Sequence, residues 1–169
     1  HRRNIEPFVD ALDRNFSQND ALAVDLLAQQ IQDGQGTSSY NLCLSSPGAT
    51  LFHVKVKLTD QYDGSLKAQF AIHPTLLGDL SHICRRNREI WESNLANSGL
   101  EGYSEVTRDL VDDAITFANL SYVKTPQILF PDDQKDIEQF DREIEKLAVL
   151  FENIHQIPRR QPTFGGPKQ

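Results

Sequence analysis

The sequence predicts an α+β fold in which an antiparallel sheet is covered by helices. Apolar and polar residues alternate at 52–58 and again at 66–72, which is the period of a half-buried strand. Before and after these runs, apolar residues recur at spacings of three and four, which is the period of an amphipathic helix. With 169 residues, 38% hydrophobic and 24% charged, the chain has the composition of an ordinary globular domain.

Residues 4–32 are predicted to form two short helices or one bent helix. Ile5 and Phe8 open a first apolar set at helical spacing, and a second set begins at Leu22. The polar residues 17–20 interrupt the pattern, and an Asn or Asp there is a suitable N-cap for the second helix. The fold class therefore includes N-terminal helices.

Three strands are predicted to follow as a short antiparallel meander. They cover residues 40–44, 52–58 and 66–72, and the polar links 45–48 and 59–64 are short enough to join them antiparallel. Such a sheet has one apolar face, which needs helices to cover it.

Three further helices are predicted downstream of the meander. The first runs over 74–97, with Pro74 in its first turn, where the missing N–H costs nothing. The second runs over 104–120 and the third, a long amphipathic helix, over 132–155. Between them, residues 122–130 contain a Thr-Pro pair, which favours a loop or an edge strand.

The last predicted helix carries a regular apolar stripe, which we call the seam. Its members alternate spacings of three and four, as in a coiled coil: Ile137, Phe140, Ile144, Leu147, Phe151 and Ile154. A seam of this kind packs against another helix. The sequence leaves open whether that helix belongs to the same domain or to a second chain.

One domain is predicted over residues 1–157, followed by a flexible Pro- and Gly-rich tail at 158–169. A chain of this length can bury about two-thirds of its unfolded surface, so its core needs no disulfide or metal. Because Met is absent, we expect His1 to follow from processing or from excision of a domain.

The charge and hydropathy of the chain exclude several classes of protein. A net charge of −7 argues against binding of duplex nucleic acid. No apolar run approaches the roughly 18 residues of a membrane span, so none is expected. We expect an intracellular protein. Secretion is the alternative, because Asn15 and Asn119 begin Asn-x-Ser sequons and Cys43 and Cys84 are available for a disulfide.

Cys84 is the candidate nucleophile of the chain. His73, Pro74 and Thr75 follow the strand meander, and Ile83 and Cys84 come next after a short segment. This stretch resembles ubiquitin-conjugating enzymes, in which a meander is followed by His-Pro-Asn and by a catalytic cysteine after Ile. The resemblance implies a Cys84 thiolate with a nearby histidine.

Two departures from that family favour a domain without catalysis. Thr75 stands where the family has Asn, and a predicted helix replaces its irregular active-site loop. The order of elements also resembles RWD-type domains, which look like the same fold without the active site. At helical spacing, Cys84 falls on the apolar side of its helix, as a buried structural thiol would.

No cofactor or metal site is predicted. The five histidines and two cysteines lack the close spacing of metal ligands, and the glycine loops that bind phosphate are absent.

The charges are separated along the chain. The outer side of the predicted hairpin carries His53, Lys55, Lys57 and Lys67, whereas residues 132–152 contain eight acidic and three basic residues. Polar residues on a half-buried sheet are also explained by solvation alone. Separation of this kind is nevertheless suited to steering a charged partner.

The main functional hypothesis is a non-enzymatic protein–protein interaction module, a subunit or adaptor domain of a larger assembly. Its partner would be another protein chain, with a second copy of itself as one candidate, and the binding residues would be the seam, the basic hairpin residues, or both. Two alternatives stay open. One is a cysteine-dependent enzyme or carrier of the ubiquitin-conjugating type that uses Cys84, and the other is a secreted binding protein with a Cys43–Cys84 disulfide.

Overall fold

The structure, a computed structural model, describes residues 2–16, 25–32, 38–45, 52–74, 80–112 and 115–155. These residues form three helices and seven strands. In chain order they are α1 (Arg2–Phe16), β1 (Asp25–Gln32), β2 (Ser38–Ser45), β3 (Phe52–Asp60), β4 (Leu66–Pro74), α2 (Leu80–Asn97), β5 (Tyr103–Asp112), β6 (Ile115–Lys124), β7 (Gln127–Leu129) and α3 (Gln134–His155).

The strands form one antiparallel sheet in the order β1-β2-β3-β4-β6-β5, with β7 also paired to β4. The predicted α+β class is therefore confirmed. The three predicted strands lie within β2, β3 and β4, which pair consecutively. The sheet extends beyond this meander on both sides.

The two faces of the sheet follow the alternation in the sequence. In β3, the residues from Phe52 to Leu58 are buried at every second position, and the positions between them are half-buried or exposed. The same alternation runs through β4. A turn joins the two strands at Gly64, whose φ of 86° lies in the left-handed region that glycine adopts without strain.

A β-bulge divides β6 from β7. Val123 pairs with Ala71 of β4, and Gln127 pairs with Ala68, so three residues lie between the pairs on one strand and two on the other. The extra residue falls where Thr125 precedes Pro126, and proline is tolerated at a bulge because no ladder donor is needed there. The predicted loop or edge strand at 122–130 is thus the end of β6, the bulge and β7.

All three helices supply aromatic side chains to the inner face of the sheet. Phe140 of α3 lies 4.9 Å from Phe8 of α1 and 5.7 Å from Phe70 of β4, measured between ring centroids. Phe52 of β3 lies 5.1 Å from Trp91 of α2 and 4.3 Å from a second phenylalanine of α3. The molecule is therefore a helical layer on one face of a sheet.

The α3 helix begins at Gln134, two residues after the predicted start, behind a capping aspartate. Asp133 accepts a hydrogen bond from the Lys135 amide through Oδ1 at 2.9 Å, which is the geometry of an N-cap. Further along the first half of α3, Asp141 accepts hydrogen bonds from Arg14 at 3.1 Å and from Asn15 at 3.0 Å, which tie α1 to α3.

Two predicted helices are wrong. The stretch predicted as a second N-terminal helix, or as the end of one bent helix, contains strand β1, which pairs with β2 along its whole length, so the described residues before β2 form one helix. The helix predicted over 104–120 is the hairpin of β5 and β6. Pro74 is the last residue of β4 and not part of the first turn of α2, which begins at Leu80.

The predicted domain boundary at residue 157 and the tail at 158–169 lie outside the described residues. None of the helices described is both long and apolar enough to cross a membrane.

Candidate functional site

The outer face of β3 and β4 carries a group of polar side chains that we call the basic face: His53, Lys55, Lys57, Lys67, Gln69 and His73. The ladder places His53 opposite His73 and Lys57 opposite Gln69. Side chains two positions apart on one strand stand about 7 Å apart, so Lys55 and Lys57 form a row along β3. Lys67 extends this cationic surface across to β4.

The lysines of the basic face have no acidic partner among the described residues. Lys55 and Lys57 are exposed and Lys67 is half-buried. The ion pairs of the described chain join other residues: Arg14 to Asp141, Arg88 to Glu105 and Lys124 to Glu143. The basic face therefore presents three cations that an outside partner can meet.

The histidines at one end of the basic face are held together as a pair. Their rings stack with centroids 4.9 Å apart and planes 30° apart. His73 Nδ1 lies 2.8 Å from Oγ of Ser121 on the neighbouring strand β6. Burial, followed by the charges of His53 and Lys55, lowers the pKa of His73 to about 4. Burial and then Lys55 also lower the pKa of His53, so both rings are neutral near pH 7.

A hydrogen-bonded serine and histidine invite comparison with a nucleophile and its general base. In that arrangement a carboxylate orients the imidazole and stabilises its charged form. Here the groups that shift the pKa of His73 are another histidine and a lysine, which oppose that charge. Ser121 is also buried. The contact therefore fixes the ring of His73 against β6.

The histidine pair gives stability a pH dependence of defined sign. The pKa of His73 falls from 6.5 to about 4 on folding, so the unfolded chain takes up the proton first. The stabilising contribution is complete above about pH 6.5 and is lost as the pH falls towards 4. We expect His73→Gln to lose less stability than the parent chain on acidification over that range, as measured by urea unfolding. Gln69→Asn is the control, and equal losses in all three chains would contradict the prediction.

A metal site is not formed by the described side chains. No group of three or more His, Cys, Asp or Glu within the described ranges could hold an ion. His53 and His73 are two ligands only, and their rings stack instead of directing nitrogens to one point.

The acidic side of the molecule lies on the helical layer, away from the basic face. Asp132, Asp133, Glu138 and Glu145 are exposed at the start of α3 and along it. The acidic and basic residues that are separated along the sequence therefore lie on two different surfaces, the helical layer and the outer face of the sheet.

The seam packs inside the chain. Phe140, Ile144, Leu147 and Phe151 have no exposed surface. Ile137 and Ile154 are partly buried against the same core. The sequence leaves open whether the seam packs against helices of the same domain or against a second chain. In the structure it is buried in the domain's own core.

The two cysteines are placed only by their backbone. Cys43 lies in β2 at the register position opposite Lys55, and Cys84 lies in α2. Their side chains are outside the described residues, as is that of His82. The Cys84 enzyme and the Cys43–Cys84 disulfide therefore stay hypotheses.

Of the two sequon asparagines, Asn15 has a described side chain, and its amide group donates two hydrogen bonds. Asn15 Nδ2 donates to the Ala11 carbonyl at 2.8 Å and to Asp141 Oδ1 at 3.0 Å. A glycan joins asparagine through this nitrogen, so glycosylation would disrupt the contact between α1 and α3. The side chain of Asn119, on β6, is outside the described residues.

Ser121 is the residue of this site that the sequence analysis misses. It lies on β6, between residues 104–120, for which the spacing predicts a helix, and residues 122–130, for which it predicts a loop or an edge strand. The abundance of β-branched and aromatic residues over 103–124 was the available indication of strands.

Comparison with protein families, with curated proteins and with solved structures finds no match to the chain. Function is therefore argued from the geometry and charge of the molecule.

Proposed function

We propose that the chain is a non-enzymatic protein–protein interaction module, a subunit or adaptor domain that binds an acidic segment of another protein through its basic face. The observation that carries the proposal is the row of lysines on an open sheet face without an acidic partner among the described residues.

The spacing of the lysines suits an extended acidic segment. Alternate side chains of an extended peptide project to the same side about 7 Å apart, which matches the interval between Lys55 and Lys57. Carboxylates at that interval can each meet an ammonium group. Such contacts contribute about 0.2–1 kcal/mol each at an exposed surface.

The composition of the basic face supports a protein partner over nucleic acid. The net charge of −7 repels every polyanion at long range, so the choice between them depends on the residues of the face itself. Single-stranded nucleic acid is usually bound by aromatic side chains that stack on bases. The basic face has no Phe, Tyr or Trp among its six residues.

Charge reversal of the lysines tests the proposal. We expect Lys55→Glu/Lys57→Glu/Lys67→Glu to weaken binding of a fluorescent oligo-glutamate peptide about thirtyfold, because three exposed charge contacts are lost. Fluorescence anisotropy at low ionic strength measures the affinity, and added salt should weaken binding to the parent chain.

The matched control changes the net charge equally but leaves the basic face intact. Lys135→Glu/Arg142→Glu/Lys146→Glu reverses three cations of α3. Equal weakening by both triple variants would contradict binding at the basic face. Tighter binding of oligo-thymidylate than of oligo-glutamate would contradict a protein partner, whereas lysine-dependent dimerisation by light scattering would identify the acidic surface of a second copy as the partner.

A further inference from the structure

The outer face of the sheet carries a second set of side chains beside the lysines, which we call the aliphatic strip: Val106, Val123 and Ile128. The strand register places each of them on that face. Ile128 of β7 pairs opposite Lys67 of the basic face, and Val123 of β6 pairs opposite Ala71, which alternates with the buried residues of β4. Val106 of β5 pairs opposite Ser121, two positions from Val123 on β6.

The aliphatic strip leaves apolar surface in contact with water. Val106 and Ile128 are 43% and 51% exposed, and they are two of the five large apolar side chains that are exposed among the described residues. Val123 is half-buried. A single exposed apolar side chain is ordinary, but two on one sheet face, next to lysines without an acidic partner among the described residues, are typical of an interaction surface.

The β3 lysines and the aliphatic strip lie on opposite sides of β4. One row across the sheet runs from Lys55 on β3 through Ala71 on β4 to Val123 on β6. Neighbouring strands are about 4.8 Å apart, so Lys55 and Val123 are separated by about 10 Å. Because the residue between them has only a methyl side chain, β4 is an open floor between a cationic border and an aliphatic border.

An extended chain that lies along β4 fits between these two borders. Its successive side chains point to opposite sides, so acidic residues at alternate positions can face Lys55 and Lys57 while the residues between them face the strip. The rows that contain Val123 and Ile128 are four positions apart along β4. Aliphatic residues four positions apart in the segment can therefore contact both.

The form of the strip favours a peptide over a lipid surface or a nucleobase. Helices that bind membranes insert Trp, Phe and Leu side chains into the acyl region. The strip instead consists of three aliphatic side chains on strands, one of them half-buried. It contains no aromatic ring on which a base could stack.

We propose that the acidic segment bound by the basic face alternates acidic with aliphatic residues and lies extended along β4, with its aliphatic side chains on the strip. The proposal rests on the proposed function and adds the chemistry of the partner, which is negative on one side of the segment and apolar on the other. It is carried by the register that places Val106, Val123 and Ile128 on the same face as the lysines.

Three capped hexapeptides of equal charge test the proposal. The first, Glu-Val-Glu-Ser-Glu-Val, has its valines four positions apart, and the second has serine in place of both valines. The third, Glu-Glu-Glu-Ser-Val-Val, has the composition of the first without its alternation. NMR titration of the full chain at low ionic strength measures the three affinities. We expect the first peptide to bind about tenfold more tightly than the second and about threefold more tightly than the third, because both valines then leave water against the strip.

A double variant of the strip separates its contribution from that of the lysines. Val106→Thr/Ile128→Thr removes apolar surface at two exposed positions and keeps the β-branched shape that strands favour, so the fold should be retained. We expect the preference for the first peptide over the second to fall from about tenfold to about threefold, with the affinity for the second unchanged. The control is Ile90→Thr, which makes the same change at a 45% exposed position of α2, in the helical layer, and should keep the full preference.

The proposal is overturned if the parent chain binds the first peptide no more tightly than the second or the third, or if the double variant keeps the full preference. Binding to phosphatidylserine vesicles, or dimerisation by light scattering, that is lost in the double variant while the peptides show no preference would assign the strip to a lipid surface or to a second copy. Failure of the proposed function gives a different result. In that case the second peptide binds Lys55→Glu/Lys57→Glu/Lys67→Glu as tightly as the parent chain.

Discussion

Replacement of Ile144 by Asp is expected to unfold the chain. Ile144 has no exposed surface and lies in the middle of the seam. An unpaired carboxylate there must lose its hydration without gaining a partner, at a cost of about 4 kcal/mol or more. Small domains have about 5–15 kcal/mol of stability in total, so little or none remains. Circular dichroism and thermal unfolding measure the loss.

The control for this substitution places the same residue on the exposed side of the helix. Gln139 is exposed, so Gln139→Asp should fold with nearly the stability of the parent chain. Leu147→Ala, which removes apolar contacts without adding charge, should cost about 2–5 kcal/mol. If Ile144→Asp instead folds and only loses self-association, the seam is an interface between chains and not part of the core.

Loss of the Lys124 ammonium is expected to have the second largest effect. Lys124 Nζ lies 3.0 Å from Glu143 Oε1 of α3, and the Tyr103 hydroxyl donates to Oε2 of the same carboxylate at 2.7 Å. Tyr103 and Lys124 are paired in the ladder of β5 and β6, so the strands supply both donors together. Glu143 is only 5% exposed, and Lys124→Met leaves its charge with a single donor. We expect a loss of about 3–5 kcal/mol in the free energy of unfolding.

A compensating variant distinguishes loss of the pair from loss of packing. Lys124→Met/Glu143→Leu/Tyr103→Phe removes the carboxylate with both of its donors, and apolar replacement of a whole buried cluster is often neutral. Urea unfolding should therefore show most of the stability restored. If Lys124→Met alone has a free energy of unfolding within about 1 kcal/mol of that of the parent chain, this account of the cluster is contradicted.

The elements that the sequence predicts correctly are those whose periodicity and burial agree. In β3 and β4, apolar and polar residues alternate strictly, which predicts strands and not helices. The turn that joins them at Gly64 is short and polar. The α3 helix has both a capping aspartate and a continuous apolar stripe. At these positions local propensity and tertiary contacts favour the same structure.

The elements that it predicts wrongly are those in which tertiary pairing overrides propensity. The β1 strand, rich in Leu, Ala and Gln, has the composition of a helix, yet it pairs with β2 over its whole length. In β5 and β6, apolar residues happen to fall at helical spacing as well. In both cases pairing with the neighbouring strand of the chain decides the structure, and the apolar spacing within a single segment does not reveal that pairing.

The candidate site also contains residues that the sequence predicts and a contact that it does not. His53, Lys55, Lys57 and Lys67 follow from alternation within one hairpin and are predicted from the sequence. The contact of His73 with Ser121 depends on the pairing of β4 with β6, between residues 48 positions apart.

The most direct test of the proposed function is to map where an acidic peptide binds on the parent chain. A titration with unlabelled oligo-glutamate, followed through the backbone amides by NMR, should shift signals of β3 and β4 at Lys55, Lys57 and Lys67 first. It should leave the exposed positions of α3 unchanged. Saturable shifts confined to the basic face are the result that the account predicts. Shifts confined to other surfaces, or no shifts at low ionic strength, would contradict it.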